Sequence, residues 1–188
     1  MTSYTVRPES LADVPAIDAL LQRVFPTGYQ AQLVTDLWGN PASWEPGISL
    51  VAHSATEVSP ELAGYVLLSR CWVGSWPALA LATLAVHPNH RGRGVGTTLV
   101  HQALELAGKL AQETNAPTSV IVLGDPAYYC RFGFRPAAHS GVRAYIDGMT
   151  PAELAQNLQA LNLTPDYPPL AGEVTWPAEY RLDQGDDL

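Results

Sequence analysis

The chain has 188 residues, enough for one domain with a buried core, and its 10 basic and 18 acidic side chains give a formal net charge of −8. This balance excludes a surface built for nucleic acid, and a hydrophobic content of 47% excludes a disordered chain. No apolar run is long enough to span a membrane, and Cys71 and Cys130 form no disulfide framework. We therefore expect one cytoplasmic domain over 1–188 with no membrane partner.

The first half of the chain predicts strands and helices with short connections. Apolar side chains recur at three- and four-residue intervals between Val14 and Val24, which indicates an amphipathic helix. The predicted elements are a strand at 4–7, helices at 13–25 and 30–38, and strands at 49–53, 62–72 and 79–86.

The last of these strands leads into a glycine-rich loop and then an amphipathic helix over 95–111. The loop reads Arg91-x-x-Gly94-x-Gly96, and a helix start behind glycines presents free backbone N–H groups and partial positive charge to a phosphate. Spacing excludes two phosphate loops, because no lysine follows Gly96 and because Thr97 stands where a dinucleotide fingerprint needs glycine. The alternative is a tight turn without a ligand.

A second motif follows an apolar, strand-like segment over 118–124. Asp125-Pro126 is typical of a helix start, and Gly133 is typical of a helix end, so the helix between them is short. Tyr129 lies four residues before Gly133, and Phe134 follows it.

In this order, the two motifs resemble those of the GNAT superfamily of acyl-CoA-dependent N-acetyltransferases. The resemblance implies an α/β fold with a mixed, mostly antiparallel sheet of about six to seven strands flanked by helices. It also implies a bulged fourth strand that splays from the fifth, acetyl-CoA as cosubstrate, backbone groups that hold the thioester arm and a loop that holds the pyrophosphate. The cofactor-binding residues that it indicates are Leu84, Ala85, Val86, Arg91, Gly92, Arg93, Gly94, Val95, Gly96 and Thr97.

Acetyl transfer to an amine requires a proton to leave the nitrogen and another to reach the departing thiolate. The resemblance gives the second role to Tyr129, whereas the structural alternative is a packed aromatic ring with a hydrogen-bonded hydroxyl. Its neighbour Tyr128 points about 100° away on a helix, and Cys130 is interpreted as a small apolar residue. We predict an N-acetyltransferase acting on a primary amine of a small molecule or protein. The alternative is a non-catalytic module of the same fold that binds acyl-CoA as a regulatory ligand.

The base for this reaction is not evident in the sequence. Many members of the family carry a glutamate on the fourth strand, whereas residues 79–83 contain no carboxylate. Asp36, Glu45 and His139 are conceivable bases.

His87 and His90 form a pattern that can bind a metal. Pro88 lies between them, and no carboxylate or cysteine is nearby in the sequence. This favours a solvated turn, so we expect no metal.

The remaining sequence carries weaker signals. The segment 91–143 holds six basic and three acidic residues, which suits a polyanionic cofactor there, although solvated surface charges are the alternative. Further predicted elements are a strand at 142–146, a helix at 151–161, a strand at 174–176 and a frayed tail at 182–188. The oligomeric state stays open, with a homodimer among the alternatives.

Overall fold

The structure, a computed structural model, describes residues 3–45, 47–55, 61–113, 116–165 and 168–182. The strands are β1 (Tyr4–Pro8), β2 (Leu50–Ser54), β3 (Leu62–Val73), β4 (Trp76–Val86), β5 (Ser119–Leu123), β6 (Arg135–Pro136), β7 (Val142–Arg143), β8 (Leu158–Asn162) and β9 (Gly172–Thr175). The α-helices are α1 (Val14–Val24), α2 (Tyr29–Gly39), α3 (Val95–Leu110), α4 (Pro126–Tyr129) and α5 (Pro151–Asn157). Apart from Leu182, the predicted frayed tail lies outside the described residues.

One mixed sheet organises these elements. Its hydrogen-bonded order is β1-β2-β3-β4-β5-β8-β6, and β9 pairs with the end of β3 and with β7. Along the main path only β4 and β5 run parallel, with α3 as the connection between them. This confirms the predicted mixed, mostly antiparallel sheet flanked by helices.

Helices cover both faces of the sheet, and the central strand β3 is therefore buried on both sides. Its side chains alternate: Tyr65 and Leu67 join the core beneath α1 and α2, while Val66 and Leu68 join the core beneath α3. None of the helices among the described residues has the length and apolar character needed to cross a bilayer.

β4 and β5 are paired at only two positions. Leu79 lies opposite Val120 and Ala80 opposite Ile121, after which the strands separate. Because β4 continues to Val86, its second half faces an opening in the middle of the sheet.

The C-terminal third corrects three predicted elements. The helix predicted over 151–161 ends at Asn157, and the apolar residues after it form β8, antiparallel to β5. The apolar run after Asn157 is compatible with a helix or a strand. It forms a strand because its backbone groups pair with those at the edge of β5. The strand predicted over 142–146 is limited to β7, and the one predicted over 174–176 is β9, which begins and ends earlier.

Candidate functional site

A bulge in β4 lies just beyond its last residue that pairs with β5. Leu67 and Leu68 of β3 lie opposite Thr83 and Leu81, so Ala82 is an extra residue on β4. Beyond the bulge, backbone groups that point towards β5 have no partner on that strand, because the two strands pair only before it.

Among the described residues, two cavities open where β4 and β5 separate. The smaller has a volume of about 380 Å³ and the larger about 820 Å³. Both are lined by the same five residues at their junction, which are Gln30, Leu81, Ala82, Leu123 and Asp125. Two molecules bound in the two cavities would therefore meet at the splayed strands.

The second half of β4 and helix α4 form the walls of the smaller cavity. Thr83 and Leu84 line it from β4, and Tyr128 and Tyr129 line it from α4. The Thr83 hydroxyl oxygen is buried and has no hydrogen-bond partner among the described residues. Of the predicted strand residues, Leu84 therefore lines the cavity, whereas Ala85 is fully buried.

The predicted phosphate loop joins β4 to α3. Gly92 and Gly94 have φ angles of 70° and 81°, in the left-handed region where glycine carries no steric penalty. Gly94 is the N-cap of α3, a helix of 16 residues. Because glycine has no side chain, it cannot accept a side-chain hydrogen bond from the first backbone amides of this helix. Arg91 and Arg93 are exposed beside these glycines, which places positive charge at the same helix end.

Gly96 connects this loop to the smaller cavity. A Cβ on Gly96 would lie 2.8 Å from the Tyr128 hydroxyl and 3.3 Å from Cγ2 of Val86. Burial raises the pKa of Tyr128, while nearby Arg131 and a hydrogen bond with Thr97 act in the opposite direction. The start of α3, the end of β4 and helix α4 thus meet around a position where only glycine fits without a shift.

Tyr129 is more deeply buried than Tyr128, with 8% of its surface exposed. Its ring packs edge-on against Tyr128 and Phe134, at centroid distances of 5.0 and 5.6 Å. Burial, and to a smaller extent Tyr128, raise the pKa of Tyr129 far above its ordinary value. The hydroxyl therefore stays protonated at neutral pH and can donate a hydrogen bond.

Local sequence explains why these tyrosines occupy this place. The Asp125 carboxylate accepts a 2.8 Å hydrogen bond from the Ala127 amide at the start of α4, as the capping pattern predicted. Gly133 ends the following turn with a φ of 92°. Sequence reasoning assigned Asp125 only this capping role, and it did not predict that the same residue lines both cavities.

The three conceivable bases lie elsewhere. Asp36 accepts a 2.6 Å hydrogen bond from Arg181, and Glu45 accepts one of 2.6 Å from Arg70. His139 is exposed. None of the three lines either cavity, so the carboxylate nearest to the junction is Asp125, with Gln30 beside it among the shared residues.

The prediction of a solvated turn at His87 and His90 is wrong, because both side chains are buried and a carboxylate adjoins them. Glu61 lies within 3.2 Å of His90 Nε2 and 3.7 Å of His87 Nε2, since β3 begins beside the end of β4. The Asn89 amide donates to His87 Nδ1, so a neutral His87 carries its proton on Nε2, facing Glu61. With that proton in place, His87 Nε2 offers no lone pair to a metal, and the absence of a metal stays a prediction.

Comparison with known proteins identifies the arrangement. Residues 14–134 match the model of the Acetyltransferase (GNAT) family. The chain belongs to the GNAT family. This GNAT protein is 36% identical over 146 residues to the uncharacterized N-acetyltransferase YhbS of Escherichia coli K12, an overlap of 73% of this chain and 77% of YhbS.

A solved structure gives the same result. The crystal structure of Escherichia coli YhbS in complex with CoA has a TM-score of 0.79 and 31% identity, and covers 96% of this chain and 93% of that one. A Brucella melitensis GNAT acetyltransferase in complex with acetyl-CoA has a TM-score of 0.67 at 22% identity, over 95% and 98% of the two chains, which supports the fold alone. This GNAT protein is therefore an acyltransferase, the enzyme class that the two sequence motifs predicted.

A more distant relative differs in length. The mycothiol acetyltransferase of Nocardia farcinica is 39% identical over 126 residues, which cover 67% of this chain but 34% of that enzyme. The similarity therefore concerns one part of a longer protein and bears on the shared acetyltransferase fold.

Proposed function

We propose that the enzyme transfers an acetyl group from acetyl-CoA to a primary amine, with the thioester in the smaller cavity and the amine in the larger. The observation that carries this proposal is the junction of the two cavities at the separated ends of β4 and β5. An amine in one cavity and a thioester in the other would be held side by side, and such positioning supplies much of the rate of a two-substrate reaction.

The cofactor follows the glycine loop. The amides from Gly92 to Thr97 hold the pyrophosphate, and Arg91 and Arg93 add positive charge beside it. From there the pantetheine arm passes Gly96 and runs along the unpaired side of Leu84, Ala85 and Val86. This proposal is supported by the left-handed glycines, by the unpaired edge of β4 and by the CoA bound to YhbS.

In the chemical step, the amine nitrogen bonds to the thioester carbon and the C–S bond then breaks. A backbone N–H of β4 beyond the bulge stabilises the negative charge on the carbonyl oxygen. Tyr129 donates its hydroxyl proton to the departing sulfur, and solvent returns a proton to the tyrosine. Its burial in the wall of the smaller cavity and its raised pKa keep this hydroxyl protonated until the step occurs.

Asp125 holds the reacting amine. It is the charged residue that both cavities share, and its capping bond to the Ala127 amide fixes the carboxylate in place. An ammonium ion attracted to this carboxylate loses one proton to water and presents its lone pair to the carbonyl carbon, and the nitrogen loses a second proton to water as the amide forms. This role needs no carboxylate on the fourth strand, where residues 79–83 have none.

The proposal is tested by incubating the enzyme with acetyl-CoA and a panel of primary amines. Release of free thiol together with mass-spectrometric detection of the N-acetylated amine supports it. Acetyl-CoA binding without thiol release for any amine would favour the non-catalytic module. The cytoplasmic location and the oligomeric state stay predictions, tested by fractionation and by sedimentation.

A further inference from the structure

The larger cavity carries negative charge that its own residues do not balance. Its charged lining residues, within the described part of the chain, are Asp125, Asp147 and Arg181. Arg181 donates a 2.6 Å hydrogen bond to Asp36, so that guanidinium already has an anionic partner. The carboxylates of the other two accept hydrogen bonds from neutral donors: the Ala127 amide for Asp125 and the Tyr145 hydroxyl, at 3.0 Å, for Asp147.

The two carboxylates stand at different places in the cavity. Asp125 lies at the junction with the smaller cavity, whereas Asp147 lines only the larger cavity. They belong to different segments, since Asp125 follows β5 and Asp147 lies between β7 and α5. One carboxylate is therefore placed for the reacting nitrogen and the other for a more distant part of the acceptor.

Apolar side chains form part of the wall around these carboxylates, beside neutral polar ones such as Gln156 and Asn157. Leu33, Leu81, Leu123, Ile146, Met149 and Trp176 line the larger cavity. Its volume of about 820 Å³ is within the range of small-molecule sites. Such apolar side chains suit a hydrocarbon chain, which gains from leaving water, while each of the two carboxylates favours a cation beside it.

We infer that the acceptor is an aliphatic diamine or polyamine. This inference rests on the proposed function and extends it to a substrate class. One amine, at Asp125, forms the new N–C bond while the C–S bond of acetyl-CoA breaks. The ammonium nitrogen loses two protons to water, and the sulfur gains one from Tyr129, which solvent then reprotonates. The second amine stays protonated and unreacted beside Asp147. A peptide N-terminus with a neutral body would leave Asp147 without a cationic partner.

The experiment compares a matched pair of acceptors, 1,5-diaminopentane and pentylamine, which differ by one amino group. The wild-type enzyme should have a kcat/KM about tenfold or more higher for the diamine, because an ion pair in a partly desolvated site has that magnitude. In Asp147→Asn, a substitution of nearly the same shape, the ratio of the two kcat/KM values should fall close to one. Glu113→Gln removes an equal charge at an exposed position after α3, so the ratio should keep its wild-type value in that variant.

Binding gives an independent readout. The diamine should bind the complex of the enzyme with CoA, measured by calorimetry, and should bind Asp147→Asn at least about fivefold more weakly. If this binding is seen but no amine is acetylated, the proposed reaction is wrong and the diamine site stands. If amines are acetylated but the diamine has no advantage, or keeps it in Asp147→Asn, the inference is wrong and the proposed function stands. Absence of both binding and acetylation overturns both.

Discussion

The ring of Tyr129 lies directly on Gly124, at the end of β5. A Cβ on Gly124 would be 2.5 Å from Cε2 of that ring, closer than any real contact. Gly124 is also held by its neighbours, since its amide donates to the Asn157 carbonyl and its own carbonyl accepts from the Gln159 side chain. The place of the proposed acid therefore depends on the absence of a side chain at this position.

Gly124→Ala should displace Tyr129 and lower both activity and stability. Forcing a methyl group into a packed site costs about 1–3 kcal/mol of the free energy of unfolding, and we expect kcat to fall by about tenfold. Urea unfolding and steady-state kinetics measure the two effects. Gly108→Ala is the control, because among the described residues no atom outside its chain neighbours and the local helix backbone lies within 4 Å of its Cβ position, and alanine favours the helix. Equal behaviour of the two variants would contradict the contact.

Tyr129→Phe should lower kcat by about 100-fold while the Kd for acetyl-CoA stays within about threefold of wild type. The ring and its packing against Phe134 remain, and only the hydroxyl proton is lost. Tyr128→Phe should instead weaken cofactor binding, because the Tyr128 hydroxyl lies over the start of α3. Thiol release with calorimetry separates the two variants. A kcat unchanged in Tyr129→Phe would remove the acid role.

Asp125→Asn should raise KM for the amine by about tenfold without changing the melting temperature. Asparagine caps a helix as well as aspartate does, so α4 should keep its start and lose only the charge beside the acceptor. Asp125→Ala loses both the charge and the cap, and its melting temperature should fall as well. A KM that is the same for Asp125→Asn and wild type would show that this carboxylate does not hold the amine.

Asp13 should make stability depend on pH. Its buried carboxylate accepts two 2.7 Å bonds from Arg7, and these lower the pKa of Asp13 well below its ordinary value. A group with a lowered folded-state pKa contributes stability above its unfolded pKa, near 4, and loses this contribution as pH falls towards the folded value. Asp13→Asn should therefore lower the free energy of unfolding by about 1–2 kcal/mol at pH 7 and by less near pH 3. The value at pH 7 is kept small because Arg7 is partly exposed to solvent, which weakens the ion pair.

Urea unfolding at the two pH values checks this. Asp18→Asn on α1 is the matched control, since among the described residues the Asp18 carboxylate accepts a hydrogen bond only from Gln22, in an exposed contact. This variant should change the free energy of unfolding by less than about 0.5 kcal/mol at either pH. A cost of Asp13→Asn that is the same at both pH values would contradict the assigned ion pair.

The sequence predicted the elements whose signals are local. Glycines at 94 and 133 mark helix boundaries by their backbone freedom, and Asp125 marks the start of α4 by its capping oxygen, so these boundaries agree with the structure. The enzyme class could be predicted from the sequence because both motifs lie in elements that local sequence marks in this way.

What could not be predicted depends on contacts between distant segments. β8 is a strand because it pairs with β5, some forty residues earlier, and its sequence fits a helix equally well. Glu61 reaches His87 and His90 only because β3 lies beside β4. The junction formed by Gln30 and Asp125 likewise requires α2 to lie across the end of β5, a placement that no local pattern encodes.

The most direct test of the account is calorimetric titration of acetyl-CoA into the wild-type enzyme, Gly96→Val and Gly108→Val. The two variants place the same side chain on α3, but only the first meets Tyr128, Val86 and the path from the glycine loop into the smaller cavity. We predict saturable one-to-one binding to wild type and Gly108→Val, and an affinity for acetyl-CoA at least about tenfold lower in Gly96→Val, with circular dichroism showing both variants folded. Equal binding by both variants, or no binding by the wild-type enzyme, would contradict it.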